Sequence, residues 1–70
     1  MIDGLKERLV QFLDDKTYTY IRDSFEYNFN GYIIEVHENS FLFLDDVLGK
    51  IKIQFGIVIK IGYSNKGKGE

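Results

Sequence analysis

The stretch that decides the fold is KIKIQFGIVIKI, residues 50–61. In its first half, isoleucine and phenylalanine alternate with lysine and glutamine, which is the period-two pattern of a strand with one buried face. Gly56 interrupts this pattern, and residues 57–63 continue as a strand that is apolar on both faces apart from Lys60. The stretch therefore predicts two consecutive strands joined by a short turn.

Three further strands are predicted upstream of this pair. Residues 17–22 alternate β-branched residues with tyrosine and arginine, residues 25–36 form a longer strand, and residues 41–44 suit a short buried strand. Gly31 lies inside the second strand, where an isolated glycine marks a bulge or a sharp bend. We expect the sheet to turn a corner at this glycine.

An amphipathic helix precedes the strands. Asp3 is placed to cap its amino end, and Asp14-Asp15-Lys16 marks its carboxyl end. An isolated helix of this length is marginal in water, so its apolar stripe must pack on the sheet. The stripe consists of Leu5, Leu9, Phe12 and Leu13.

Length and composition limit the class of protein. A chain of 70 residues is one domain with a small stability margin, and its 44% hydrophobic content leaves apolar surface for association between copies. Cysteine is absent and His37 is the only histidine, so we expect no disulfide, metal site or cofactor. We expect one domain over 1–63 and a disordered tail over 64–70. The amino end has no signal-peptide core and no run of about 20 apolar residues, so we expect a cytoplasmic location away from membranes.

The charge is unevenly distributed along the chain. Residues 1–48 carry ten acidic and four basic side chains, whereas residues 49–70 carry five lysines against Glu70. We therefore expect any polyanion to bind the carboxyl-terminal third of the chain. The net charge of −2 disfavours extensive binding to a phosphate backbone and leaves a local contact to bases open.

The order of one helix and five strands, with a bent second strand, resembles the Sm-like fold of Sm, Lsm and bacterial RNA-chaperone proteins over residues 3–63. Gly31 and Ile33 match the glycine and the aliphatic residue of that family's strand two, and Gly56 matches the glycine between its strands four and five. The resemblance implies a mainly β fold. It comprises an N-terminal α-helix and a five-stranded, strongly bent antiparallel sheet that forms a small SH3-like or Sm-like barrel.

The same resemblance implies a function. Sm-like proteins form rings of six or seven subunits by pairing strand four of one subunit with strand five of the next, and they bind single-stranded RNA at the inner rim. Here His37 stands where the family has an aspartate, and Phe55 stands where it has an arginine. The predicted edges of a homo-oligomer contain Ile51, Ile53, Ile57, Ile59 and Ile61.

Four residues form the predicted RNA-binding site: His37, Asn39, Phe55 and Gly56. A planar side chain such as His37 can stack on an unpaired base, and an amide such as Asn39 can read the edge of that base. The alternative is that residues 37–40 are an ordinary polar hairpin turn.

Two other groups of side chains allow two interpretations each. Lys50, Lys52 and Lys60 could contact phosphates, or they could guard strand edges against aggregation. Four tyrosines could stack on bases, or they could belong to the core or an interface. These are Tyr18, Tyr20, Tyr27 and Tyr32.

An enzymatic function is not expected. The paired acids Asp14-Asp15 and Asp45-Asp46 lie at turns, where aspartate makes local hydrogen bonds, and the sequence has no Gly-rich phosphate loop or cysteine nucleophile. Two hypotheses remain. One is an Sm-like ring that binds single-stranded RNA; the other is a protein-interaction or structural module with an SH3-like barrel and no nucleic-acid binding.

Overall fold

The computed structural model describes residues 2–64, in which one helix precedes five antiparallel strands. The strands form a single sheet in the order β4-β3-β2-β1-β5. The predicted helix and all five predicted strands are confirmed, with shifts of a few residues at their ends. The elements are α1 (Leu5–Asp15), β1 (Thr19–Asp23), β2 (Asn28–Val36), β3 (Ser40–Asp45), β4 (Gly49–Gln54), a 3₁₀ turn (Phe55–Ile57) and β5 (Val58–Tyr63).

The amino end of α1 differs from the prediction. The capping position is Gly4 rather than Asp3, and no side chain donates or accepts a capping hydrogen bond there. Gly4 has a φ of 71°, a left-handed conformation that glycine adopts without steric cost. The carboxyl end lies at Lys16 as predicted, where the backbone N–H donates to the carbonyl of Leu13 at 3.2 Å.

The core lies between α1 and the inner face of the sheet. Ile21, Phe41 and Phe43 from the strands are fully buried, and Leu9 from the helix joins them. The rings of Phe41 and Phe43 meet edge to face with centroids 6.4 Å apart. Burying one such side chain contributes about 1.5–3 kcal/mol, so the burial of these residues is a major source of stability for so small a domain.

The second strand passes unusually close to the third at Gly31. A Cβ atom added at Gly31 would lie 1.8 Å from the carbonyl oxygen of Leu44, so no side chain fits there. The register of the β2–β3 ladder then shifts between Ile33 and Glu35. A close approach followed by an irregular ladder explains why glycine occupies this position.

The sheet is open. Hydrogen bonds pair β5 with β1 and β4 with β3, and no ladder within residues 2–64 joins β4 to β5. The structure therefore shows a helix and a five-stranded antiparallel sheet that hydrogen bonds do not close and that is not strongly curled. β4 and β5 lie at opposite edges of this sheet.

Two predictions concern the ends of the chain and its hydrophobic segments. Ser64, the first residue of the predicted tail, is buried, and its hydroxyl donates to Oδ1 of Asn30 at 2.6 Å. The rest of the predicted tail, residues 65–70, lies outside the described residues. No helix within the described part of the chain is long and apolar enough to cross a membrane.

Candidate nucleic-acid interface

The predicted RNA-binding residues lie on two neighbouring segments. The Phe55 backbone N–H donates to the carbonyl of Asn39 at 3.0 Å, which joins the β2–β3 loop to the 3₁₀ turn. The Phe55 ring is buried, with its centroid 6.0 Å from that of Phe41, whereas Gly56 is exposed. His37 Nε2 lies 2.9 Å from a carboxylate oxygen of Glu35. The exposed side chains of the predicted set are thus His37 and Asn39.

A groove of about 330 Å³ lies between this loop and the amino end of α1. Its charged side chains are the carboxylates of Asp3, Glu7 and Glu38 and the ammonium group of Lys6. Lys6 Nζ is 3.5 Å from Glu38 Oε1, so its charge is already balanced. The excess of carboxylates makes this groove unfavourable for a phosphate backbone.

A different surface combines rings and positive charge. Exposed and half-buried side chains that alternate with core residues share one side of the sheet, which we call the outer face. Its members on or next to the strands are Tyr18, Tyr20, Arg22, Asn28, Asn30, Tyr32, Glu35, Leu42, Leu44, Lys50, Lys52, Gln54 and Lys60, and Asp46 of the β3–β4 turn joins them through its bond to Tyr18.

One row of the outer face crosses the three strands β4, β3 and β2. Lys50 lies opposite Leu44, and Leu44 lies opposite Tyr32, so the three side chains are neighbours on one side of the sheet. The Tyr32 ring centroid lies 5.3 Å from that of Tyr18, which extends the row to the residue that precedes β1. This row places an aromatic pair beside an apolar side chain and a lysine.

The outer face also carries most of the available positive charge. Its four basic side chains outweigh two acidic ones, a balance of +2, whereas the rest of the described chain has three basic and eight acidic side chains, a balance of −5. The basic members are Arg22, Lys50, Lys52 and Lys60, and the acidic members are Glu35 and Asp46. The molecule is therefore electrostatically two-sided, which its net charge of −2 conceals.

Hydrogen bonds hold two tyrosines of the outer face in place. The Tyr18 hydroxyl donates to Asp46 Oδ2, and the Tyr20 hydroxyl donates to Asn28 Oδ1 at 2.7 Å. The bond to Asp46, together with desolvation and the negative charge of Asp46, raises the pKa of Tyr18 to about 12. Tyr18 is thus a neutral phenol whose ring is fixed by its own hydroxyl.

The predicted oligomer edges contain both exposed and buried isoleucines. Ile59 is 53% exposed on β5, Ile51 and Ile57 are half-buried, and Ile53 and Ile61 belong to the core. Of these five predicted edge side chains, only Ile59 is therefore largely exposed at an edge of the sheet.

Reasoning from the sequence did not single out Arg22 or Leu44 as members of this surface. Arg22 alternates in step with Tyr18 and Tyr20, a signal that was visible in the sequence. Leu44 had no such signal, because only the register of β3 with β2 and β4 places it between Tyr32 and Lys50.

No family model matches the chain, and no curated protein or solved structure matches it. Within residues 2–64, no group of three or more histidine, aspartate or glutamate side chains is placed to hold a metal ion.

Proposed function

We propose that the chain is an Sm-like module that assembles into a homo-oligomeric ring and binds single-stranded RNA. The observation that carries this proposal is the position of β4 and β5 at the two edges of one open sheet. These are the strands that Sm-like proteins pair between subunits. Pairing β4 of one copy with β5 of the next would satisfy the backbone groups of both edges and join the sheets of neighbouring copies.

Composition and exposure also support assembly. A domain of 70 residues buries a limited core, and β5, an edge strand, leaves Ile59 and Tyr63 largely exposed. Association would remove this apolar surface from water, which stabilises small domains that lack disulfides and metals.

Light scattering and native mass spectrometry of the purified chain test the assembly. We expect a closed oligomer for the natural sequence and dissociation for Ile59→Lys, because the substitution places a charge on the paired edge. Val47→Lys is the matched control, since Val47 is 73% exposed in the β3–β4 turn and outside both edges. A monomer for the natural sequence at every concentration tested would overturn the proposed ring.

Fluorescence anisotropy with a labelled uridine oligomer at low salt tests the RNA binding. We expect binding of the single strand and weaker binding of a duplex, because stacking on a protein ring needs unpaired bases. If the assembled chain binds no RNA, the RNA-binding part of the proposal is wrong, and the chain is a structural module that assembles with itself.

A second candidate is the protein-interaction module. Phe25 is 77% exposed in the β1–β2 turn, two residues before Tyr27, and it is not a member of the hydrophobic core of the described chain. This candidate predicts a monomer that does not bind RNA, so the same two measurements separate the two functions.

A further inference from the structure

We propose that the β1–β2 turn of one copy of this chain inserts Phe25 into an apolar groove on a second copy. The groove lies between the carboxyl end of α1 and strands β2 and β3. Neither the turn nor the groove belongs to the edge strands β4 and β5. The contact therefore goes beyond the proposed ring and does not rest on it.

Hydrogen bonds hold the β1–β2 turn in one conformation. Oδ1 of the buried Asp23 accepts the backbone N–H groups of Phe25 and Tyr27, each at 2.9 Å. The backbone N–H of Ser24 donates to a carbonyl of the 3₁₀ turn at 2.7 Å. Glu26 has a φ of 67°, a left-handed conformation that residues other than glycine rarely adopt. A turn that is fixed in this way loses little conformational entropy when it binds.

The fixed turn presents an aromatic ring and a negative charge to solvent. Phe25 is 77% exposed and lies outside the hydrophobic core, and the exposed Glu26 follows it. Removing a phenylalanine ring from water is favourable, and single aromatic side chains are common anchors of protein interfaces. The turn therefore has the form of an anchor for an apolar pocket.

The groove has a volume of about 580 Å³, and apolar side chains form most of its lining. The ladder between β2 and β3 skips Ile34, since its register shifts between Ile33 and Glu35. Such a bulge re-aims a side chain, and here Ile34 lines the groove. The groove is large enough for an aromatic side chain. Its lining residues are Leu13, Lys16, Tyr32, Ile33, Ile34 and Leu44.

Charge matches the turn to this groove. Lys16 is the one charged side chain among the lining residues, and Glu26 lies next to Phe25 on the turn. Within residues 2–64, neither Lys16 nor Glu26 forms an ion pair. The groove at the amino end of α1 is rich in carboxylates and would repel Glu26. Charge complementarity thus selects one groove and one orientation of the turn.

One copy does not fill its own groove. Phe25 is exposed, and the extended chain between Tyr27 and Ile34 spans roughly 20 Å. The contact therefore joins two different patches on two copies, an arrangement that continues from copy to copy. We expect association that grows with protein concentration.

Fluorescence tests whether the turn becomes buried. The chain has no tryptophan, so Phe25→Trp places a single reporter on the turn. Its emission is expected to move to shorter wavelength, and its quenching by acrylamide to fall, as the protein concentration rises. Val47→Trp is the matched control, because Val47 is 73% exposed in the β3–β4 turn, and its reporter should stay in water. A Phe25→Trp reporter that stays in water at every concentration overturns the inference.

Sedimentation velocity with matched leucine variants tests the groove. Leu44→Lys is expected to weaken the association roughly tenfold or more, because it places a charge among the apolar lining residues. Leu48→Lys is the control, since Leu48 is 52% exposed but lies outside the groove, and we expect a change of less than about twofold. Circular dichroism verifies that each variant is folded. Equal effects of the two substitutions would overturn the assignment of the groove.

A charge exchange tests the orientation. Glu26→Lys and Lys16→Glu are each expected to weaken the association. The chain that carries both substitutions is expected to recover it, because the lysine on one copy then meets the glutamate on the next. Failure of the double variant to recover association would overturn the pairing of this turn with this groove.

Ile59→Lys separates this inference from the proposed ring. Association that persists in Ile59→Lys but is lost in Leu44→Lys supports the inference, whether or not the ring forms. A ring that depends on Ile59, together with a Phe25→Trp reporter that stays in water, overturns the inference and keeps the ring.

Discussion

At the scale of single residues, Asp45 organises the junction between the bent strand and the following turn. Its Oδ1 accepts the backbone N–H of Asn30 at 3.1 Å, and its Oδ2 accepts those of Val47 and Leu48 at 2.9 Å. The carboxylate is buried, so these charge-assisted bonds replace its hydration. Gly31, the partner of Asp45 in the ladder, lies next to this junction. A local hydrogen-bond network thus accompanies the close approach of two strands.

Gly31→Ala is expected to destabilise the fold by about 3 kcal/mol or more, because its Cβ would collide with the backbone of Leu44 and backbone cannot move aside cheaply. Urea unfolding followed by circular dichroism measures the change. Gly62→Ala is the control, since a Cβ there meets nothing within 4 Å, and we expect less than about 0.5 kcal/mol. Similar losses for the two variants would contradict the close approach.

The Tyr18 phenol is expected to lose its proton at a higher pH than an ordinary tyrosine. Its pKa is raised from 10.0 to about 12, so the protonated form is the one that the fold favours. The stabilisation is fully present below pH 10 and is lost as the pH rises through about 12. Tyrosine absorbance of the natural chain minus that of Tyr18→Phe measures this group alone.

Asp46→Asn removes the negative charge that holds the Tyr18 proton. The substitution is therefore expected to lower the pKa of Tyr18 towards the ordinary pKa of tyrosine. A Tyr18 group that titrates at pH 10.0 in the natural chain would argue against the hydrogen bond to Asp46.

At the scale of elements, α1 depends on the sheet for its stability. Leu5, Leu9 and Phe12 are its buried side chains, and the Phe12 ring contacts that of Tyr63 with centroids 5.2 Å apart. No capping side chain supports its amino end, so packing has to supply most of the stabilisation.

Leu9→Ala is accordingly expected to lower the free energy of unfolding by about 2–5 kcal/mol, the cost of a cavity in a core. Val10→Ala, one residue along, is expected to cost less than about 1 kcal/mol because Val10 is 40% exposed. Urea unfolding of both variants checks the difference. Equal losses would mean that α1 does not pack through the face that contains Leu9.

At the scale of the whole molecule, charge separates the outer face from the helix side. Salt is therefore expected to act in opposite directions on the two proposed activities. It screens the repulsion between the lysines of edge strands β4 and β5 and strengthens assembly of the RNA-free chain, but it weakens RNA binding by reducing counterion release. Light scattering and anisotropy over a salt series measure the two effects.

The slope of log affinity against log salt gives a quantitative check. Each neutralised phosphate of a single strand contributes about −0.7 to the slope, so Lys50→Gln with Lys52→Gln should make it shallower by about 1.4. Lys6→Gln with Arg8→Gln should leave it unchanged. A slope that the helix-side pair changes as much as the outer-face pair would place the phosphates elsewhere.

Much of the fold could be predicted from local pattern. Period-two alternation located β1, the first part of β2 and β4, while short apolar runs located β3 and β5, and the spacing of Leu5, Leu9 and Phe12 located the helix. The helix cap was predicted wrongly. Asp3 has a side chain that is favoured at the capping position, but the helix begins after Gly4, which has a positive φ. Preferences of single residues are small, so backbone geometry set by the rest of the fold overrides them.

By itself, the sequence determined which residues alternate along each strand. It therefore determined that these lysines and tyrosines lie on the face of the strand that points away from the core residues. Only the tertiary structure decided which strands are neighbours and in what register. That register brings Lys50, Leu44, Tyr32 and Tyr18 into one row, and packing against Phe41 places the ring of Phe55 in the core. The physical reason is that backbone hydrogen bonds between strands are nearly independent of side-chain identity. Register is therefore selected by packing between residues far apart in the chain, which local pattern does not contain.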